Sequence, residues 1–328
     1  MRGKLLAITL CALVLPVCDA LALPLTSINQ FIVFGDSLSD NGNAATLLGP
    51  LWPANYAPNA LTDGTNTTPP IPSGGPQGLW IDQLAPKLGL PDPKPFLLGG
   101  TNFAAASATT GTTPPQDIGV QLGLFTSTYL GNAPSNALYV IRGGANDLFN
   151  ASNPSLAATQ AVANLYADIL TLKGEGAKYF LWLDLPPLGA TPRGVAMNEV
   201  SALNTASTLF DSTWQSDLTA LQGQGLQIVG VDINQLFNMI IAHPLSYGLT
   251  DVTHPAQGLA GVNPDNYLFW DDQHPTTAAD AGIAQFAYND LTGTAASAPE
   301  PQNLALVLIG LAAALAAYRA RRAHAPRA

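Results

Sequence analysis

Two short stretches at opposite ends of the sequence hold residue types that could together perform nucleophilic catalysis. Near the start, Gly35-Asp36-Ser37-Leu38-Ser39-Asp40-Asn41-Gly42 follows an apolar run; near the end, Phe269-Trp270-Asp271-Asp272-Gln273-His274-Pro275-Thr276 leads into an amphipathic stretch. A serine hydroxyl is a poor nucleophile until a base takes its proton, and imidazole suits that role because it changes protonation near neutral pH. The imidazole needs a carboxylate to fix its tautomer and stabilise the imidazolium. Asp271, three residues before His274, can reach it within one turn. Asp272 is the adjacent competitor and is expected to point away.

Each piece is weak alone. Gly-Asp-Ser usually just caps a helix. Arg142-Gly143-Gly144-Ala145-Asn146-Asp147 offers Asn146, whose side-chain amide could donate to a developing oxyanion, but an Asn-Asp turn is the commoner meaning. A second Asp-x-x-His-Pro, Asp251-Val252-Thr253-His254-Pro255, competes with His274 for the base role. It lacks the Phe-Trp lead-in and the helical stretch behind. His243, before Pro244, reads as structural or surface. The histidines are not spaced as a ligand pair on one helix, and there is no Gly-rich phosphate loop, so neither a metal nor another cofactor is expected.

Strand and helix patterns place these residues. Apolar, β-branched or aromatic runs at 30–34, 137–141, 178–183 and 226–231 read as strands, with a weaker one at 96–98. Helical patterning fills 79–88, 118–129, 155–173, 195–222, 234–242 and 276–291. Apolar strands alternating with helices predict a parallel sheet covered on both faces. In such a sheet ligands bind at the carboxyl ends of the strands, where Ser37 and Asn146 fall. The Pro-, Gly-, Thr- and Asn-rich stretch 59–78 and the stretch 244–266 read as long loops. Each either lines a substrate mouth or is a simple insertion.

The chain of 328 residues is 47% hydrophobic and 10% charged, which excludes disorder and suits one substantial α/β core. Its net charge of −10 excludes nucleic acid as a partner, since a phosphate backbone rewards Lys and Arg. Both ends read as processing segments. Arg2 and Lys4 precede an apolar run, Leu5 to Val17, then Ala20-Leu21-Ala22. Residues 1–22 are therefore expected to be a secretory signal peptide cut before Leu23, with a cut after Ala20 as the rival. The run is too short for an ordinary membrane span. Cys11 and Cys18 both lie within residues 1–22, so the mature protein is expected to have no disulfide and no thiol chemistry. Leu15-Pro16-Val17-Cys18 fits a lipoprotein cleavage box poorly.

At the other end, Pro299-Glu300-Pro301 precedes an apolar run from Leu304 to Tyr318 and then Arg319, Arg321 and Arg322. These three parts in order resemble the PEP-CTERM sorting signal, which exosortases process in Gram-negative bacteria; the alternative is an ordinary tail anchor. By the positive-inside rule the arginines stay cytoplasmic and the body lies outside. Residues 23–297 form the expected domain, with 6 Lys and Arg against 20 Asp and Glu.

Four blocks in order resemble the GDSL esterase/lipase family, also called SGNH hydrolases: Gly35-Asp36-Ser37-Leu38, Gly100-Thr101-Asn102-Phe103-Ala104, Gly143-Gly144-Ala145-Asn146-Asp147, and Asp271-x-x-His274-Pro275. Weaker similarity at 80–85 and 183–192 extends the resemblance over about residues 28 to 292. It implies a three-layer α/β/α sandwich with a flavodoxin-like parallel sheet. It also implies a triad of Ser37, Asp271 and His274, and an oxyanion hole from the Ser37 N–H, the Asn146 amide and a backbone N–H of the second block. That last donor is a glycine in the family, and counting from Asn102 puts Ser107 there. The donor survives if serine tolerates the dihedrals, while the local geometry and the pocket floor are open to change. Three readings follow. The first is an exported carboxylesterase or lipase acting on a lipid or simple ester. The second is a deacetylase of envelope or secreted polysaccharide, and the third a catalytically weak surface or matrix protein on a hydrolase scaffold. The processing partners would be signal peptidase and an exosortase. The place would be the periplasm, outer surface or matrix, with a possible transient anchor through residues 298–328.

Overall fold

The computed structural model describes residues 23–64 and 78–294. The expected signal peptide, both cysteines, most of the 59–78 stretch and the C-terminal sorting segment lie outside the described residues. Among the described residues no helix is long and apolar enough to cross a membrane.

Four parallel strands, β1 (Gln30–Phe34), β2 (Ala137–Ile141), β3 (Tyr179–Leu183) and β4 (Gln227–Val231), lie side by side in that order. The second motif block itself, with Ala105 after it, extends the sheet beyond β1. Val33 N–H donates to Thr101 O at 3.1 Å, Phe103 N–H to Val33 O at 2.8 Å and Ala105 N–H to Gly35 O at 3.1 Å. The second segment in the chain therefore sits outside the first, giving the flavodoxin-like order. The expected strand at 96–98 is instead a 3-10 turn, Phe96–Leu98. Pro95 begins it, and Gly99, at φ +77°, ends it.

The helices, in chain order, are α1 (Asn43–Leu48), α2 (Trp80–Lys87), α3 (Ile118–Tyr129), α4 (Ala145–Asn150), α5 (Pro154–Gly174), α6 (Pro192–Ala196), α7 (Val200–Gly223), α8 (Ile233–Ala242) and α9 (Thr277–Thr292). The expected helix at 195–222 is two helices, and Asn198, at φ +58°, turns the chain between them. The 244–266 stretch is more ordered than a loop: β5 (Asp251–Pro255) pairs in parallel with β6 (Tyr267–Phe269).

Side chains alternate across the sheet and both faces are apolar, as a doubly covered sheet demands. Ile32, Phe34, Tyr139, Phe180 and Trp182 pack with α3, α5 and α7. Phe31, Val33, Leu138, Val140, Leu181 and Leu183 pack with α2, α8 and α9. Three layers result. Gly230 in β4 shows how closely α7 lies: a Cβ there would stand 2.3 Å from Leu218 Cδ2 and 2.7 Å from Trp214 Cζ2.

The fold also buries acids. Burial pushes Asp168 and Asp290 up to about 7, and Asp147 to about 6 against the hydrogen bonds it accepts from Thr110. A carboxyl raised above its unfolded value of 3.8 binds its proton more tightly when folded. Its contribution to stability is therefore complete below that value and is lost as pH climbs through the folded one. The thermal midpoint at pH 5 should exceed that at pH 8 in scanning calorimetry; a midpoint equal or higher at pH 8 would contradict this account.

Candidate active site

Ser37 stands on the turn leaving β1, and a set of buried polar side chains holds that turn. The Gln121 amide of α3 grips Gly35 from both sides, its Oε1 accepting from Gly35 N–H at 2.9 Å and its Nε2 donating to Gly35 O at 2.7 Å. Gly35 has no room for a side chain, since a Cβ would lie 2.8 Å from Arg142 O. Asp36 Oδ1 accepts from Leu38 N–H at 3.0 Å, and the Ser39 and Asp40 N–H groups donate to Asp36 O. Downstream, the buried Asn102 amide donates to Ser39 O at 2.7 Å and to Asn41 Oδ1 at 2.8 Å. Asp40 accepts from the N–H groups of Gly42, Asn43, Ala44 and Ala106. The first two motif blocks are thus one hydrogen-bonded unit, and the polar letters of both serve to build the turn.

His274 meets Ser37 from the far end of the chain. Its Nε2 lies 2.8 Å from Ser37 Oγ, and its Nδ1 lies 2.6 Å from Asp271 Oδ2. Asp271 Oδ1 accepts the N–H groups of Gln273 at 2.8 Å and His274 at 2.7 Å, closing the local turn the spacing predicts. All three side chains are buried. Burial alone would raise the Asp271 carboxyl, but the hydrogen bonds and charge of His274 with the Gln273 N–H outweigh it and hold the group below its usual range. It remains a carboxylate, the state that orients an imidazole. A nucleophile, a base and an orienting carboxylate in hydrogen-bond reach can open a carbonyl by acyl transfer.

Asn146 lies at the start of α4 and lines the same cleft as Ser37 and His274. Its Nδ2 donates to Ala108 O at 2.9 Å, which leaves its second amide hydrogen for another acceptor. Asp147 ties the same segment down by accepting from Thr110 N–H and Thr110 Oγ at 2.7 Å. Ser107, at the position where the resemblance implies glycine, takes φ +64°, the left-handed conformation glycine favours. Its side chain is exposed, so the pocket floor does not depend on it.

The other acidic and histidine candidates lie elsewhere. Asp272 is exposed and contributes its backbone O to Arg193 N–H at 2.7 Å. His254 Nδ1 bonds Asp251 Oδ2 at 3.0 Å in a copy of the Asp271 turn, but its side chain is exposed and makes no hydrogen bond to Ser37. His243, exposed, ends α8. Among the described residues no group of His, Cys, Asp or Glu could hold a metal.

Several neighbours were not legible in advance. Phe149, Leu188, Phe237 and Phe269 give the cleft its apolar wall. Arg193 stacks on Phe149 at 4.6 Å and donates to Gln273 Oε1 at 2.7 Å, bracing the His274 loop at the cleft. Arg142 is fully buried beneath the cleft, near Asp36, Asp280 and Asp184 and over the Trp80 ring at 6.0 Å. On the other side, the Tyr56 hydroxyl donates to Asp271 Oδ2 at 2.8 Å. The pattern that betrays Ser37 has no counterpart around Tyr56, whose partner is distant in the chain.

The profile of GDSL-like lipases and acylhydrolases matches residues 31–286. A Pseudomonas putida protein of the trpE-trpG intergenic region is 32% identical over 325 residues, covering 89% of this chain. The chain spans 53% of that protein's length. The Arabidopsis thaliana GDSL esterase/lipase At1g29660 is 26% identical over 330 residues, covering 79% of this chain and 86% of its own. Among solved structures, Est24, a carbohydrate acetylesterase from Sinorhizobium meliloti, aligns at TM-score 0.46 and 13% identity, covering 81% of this chain and 99% of its own.

Replacing Ser107 by Gly should remove a left-handed cost of about 1–2 kcal/mol, partly offset by the greater freedom of unfolded glycine. Chemical denaturation should find Ser107→Gly as stable as the parent or up to about 1 kcal/mol more so, and Ser107→Val less stable. A destabilised Ser107→Gly would refute the strain.

Proposed function

Because the chain belongs to the GDSL-like lipase/acylhydrolase family of serine ester hydrolases, we propose that it hydrolyses carboxylic esters through an acyl-enzyme formed on Ser37. The observation that carries this reading is the unbroken hydrogen-bonded chain from Ser37 Oγ through both nitrogens of His274 to Asp271, opening on a cleft with an apolar wall. Ser37 Oγ attacks the ester carbonyl as His274 Nε2 takes its proton. The carbonyl oxygen turns toward the Ser37 N–H, the Asn146 amide and the Ser107 N–H, each such donor being worth about 10²–10³ in rate. His274 then protonates the departing alcohol, and water, activated by the same imidazole, releases the acid and restores Ser37.

The apolar wall of Phe149, Leu188, Phe237 and Phe269 favours an ester with an apolar acyl group, hence a lipid or simple ester. Deacetylation of a secreted polysaccharide is the second reading, favoured by the Pro-Glu-Pro, apolar and Arg segments at 299–322 that resemble a sorting signal. In either case the protein is exported. Signal peptidase removes residues 1–22, and an exosortase processes the segment 298–328, delivering the hydrolase to the periplasm, surface or matrix of a Gram-negative cell.

The test is a panel of p-nitrophenyl acetate, a long-chain p-nitrophenyl ester and an acetylated polysaccharide, with Ser37→Ala beside the parent. Turnover should fall at least about 10³-fold in the variant. Equal turnover by Ser37→Ala would refute the nucleophile, and silence of the parent on every ester would refute the activity.

A further inference from the structure

Tyr56 comes from a connection that crosses to the His274 loop and is fastened along its length. Trp270 Nε1 donates to Asn55 O at 3.1 Å, Thr62 Oγ to Pro275 O at 3.2 Å, and Thr277 N–H to Asp63 Oδ1 at 2.7 Å. Gly64 N–H reaches Thr277 Oγ at 3.0 Å. Behind Tyr56, Trp52 Nε1 donates to Ala57 O at 2.7 Å. The hydroxyl is therefore delivered to Asp271 by a strap anchored on both sides of it.

Asp271 Oδ2 receives two donors, His274 Nδ1 at 2.6 Å and the Tyr56 hydroxyl at 2.8 Å. The two backbone N–H groups on Oδ1 already hold the carboxylate in place, so geometry does not require the tyrosine. What the tyrosine adds is electronic. A second donor on the oxygen that faces the imidazole draws charge from it and limits how strongly Asp271 holds the Nδ1 proton. Resting on the triad reading above, we propose that Tyr56 is a positioning residue of the reaction, a fourth member of the relay that sets the proton affinity of the His274–Asp271 pair. The phenol itself stays protonated, pushed up to about 12 by burial and by the adjoining Asp271 charge. The other charges near the pair are Asp272 and Arg193 at the cleft and Asp36, which faces His274. Tyr56→Phe leaves all of them in place.

Without the hydroxyl, Asp271 holds a fuller charge toward the ring, and the imidazolium is favoured. Tyr56→Phe should move the acid limb of the kcat/KM profile up by about half a pH unit, lowering kcat/KM by up to about 3-fold on the acid side and leaving the plateau above the limb undiminished. Site-specific 3-fluorotyrosine at position 56, a stronger donor of nearly the same size, should move that limb down. Added to Asp271→Asn, Tyr56→Phe should cost nothing further. Superimposable pH profiles for parent, phenylalanine and fluorotyrosine proteins would overturn the proposal, as would a full additional loss in the Asp271→Asn background. A substrate-free readout separates this from failure of the ester reading. By NMR the titration midpoint of the His274 ring should rise in Tyr56→Phe whether or not an ester is turned over, and an unmoved midpoint would overturn the role.

Discussion

A single 2.8 Å hydrogen bond, between Ser37 Oγ and His274 Nε2, joins residues 237 apart in the chain, and most of the structure can be understood as what makes it possible. The parallel sheet ends its strands on one edge, which brings the turn after β1 and the start of α4 to the same place. The serine turn is then stiffened from behind by Gln121 and from the side by Asn102 and Asp40. The histidine loop is braced at the cleft by Arg193 and fastened to the strap that carries Tyr56. No one of these contacts is strong, but a nucleophile must be held to a few tenths of an ångström, and many modest constraints from different elements achieve that.

How much of this can be seen without coordinates depends on whether a residue's partner is near it in the chain. Strands buried on both faces are continuous apolar runs, so 30–34 and 137–141 match β1 and β2 residue for residue. The sheet segment at 101–105 pairs with β1 on one side, meets only an isolated bridge to Pro95 on the other and carries a buried Asn102, so neither alternation nor a hydrophobic run marks it. Leu97 and Leu98 look more like a strand, yet Pro95 and Gly99 confine them to a turn. Ser37, Asp271 and His274 sit in compact motifs whose spacing has a mechanical meaning. Tyr56, Gln121 and Arg193 each act on a partner at least 80 residues away, and nothing in the surrounding letters says so.

The cleft also rests on charge in an unusual place. Arg142 is buried beneath it, its affinity for a proton lowered by burial and partly restored by Asp36, Asp280 and Asp184. Those carboxyls are in turn raised by burial. Such a group of ions stabilises a fold less than a well-packed apolar cluster of the same volume would. Its position under the Ser37 turn is consistent with the general concentration of costly arrangements around working sites.

The Asp-x-x-His turn occurs twice, at 271–274 buried and at 251–254 on the surface, with the same pattern of backbone and side-chain bonds. A carboxylate and an imidazole three residues apart close a loop so small that its formation demands almost no ordering of the rest of the chain. The dyad is therefore an inexpensive local module that a chain can make wherever the letters permit. The scarce element is the serine that arrives from the other end, and it is the topology of the sheet, rather than the dyad, that distinguishes the buried pair that meets Ser37 from its surface twin.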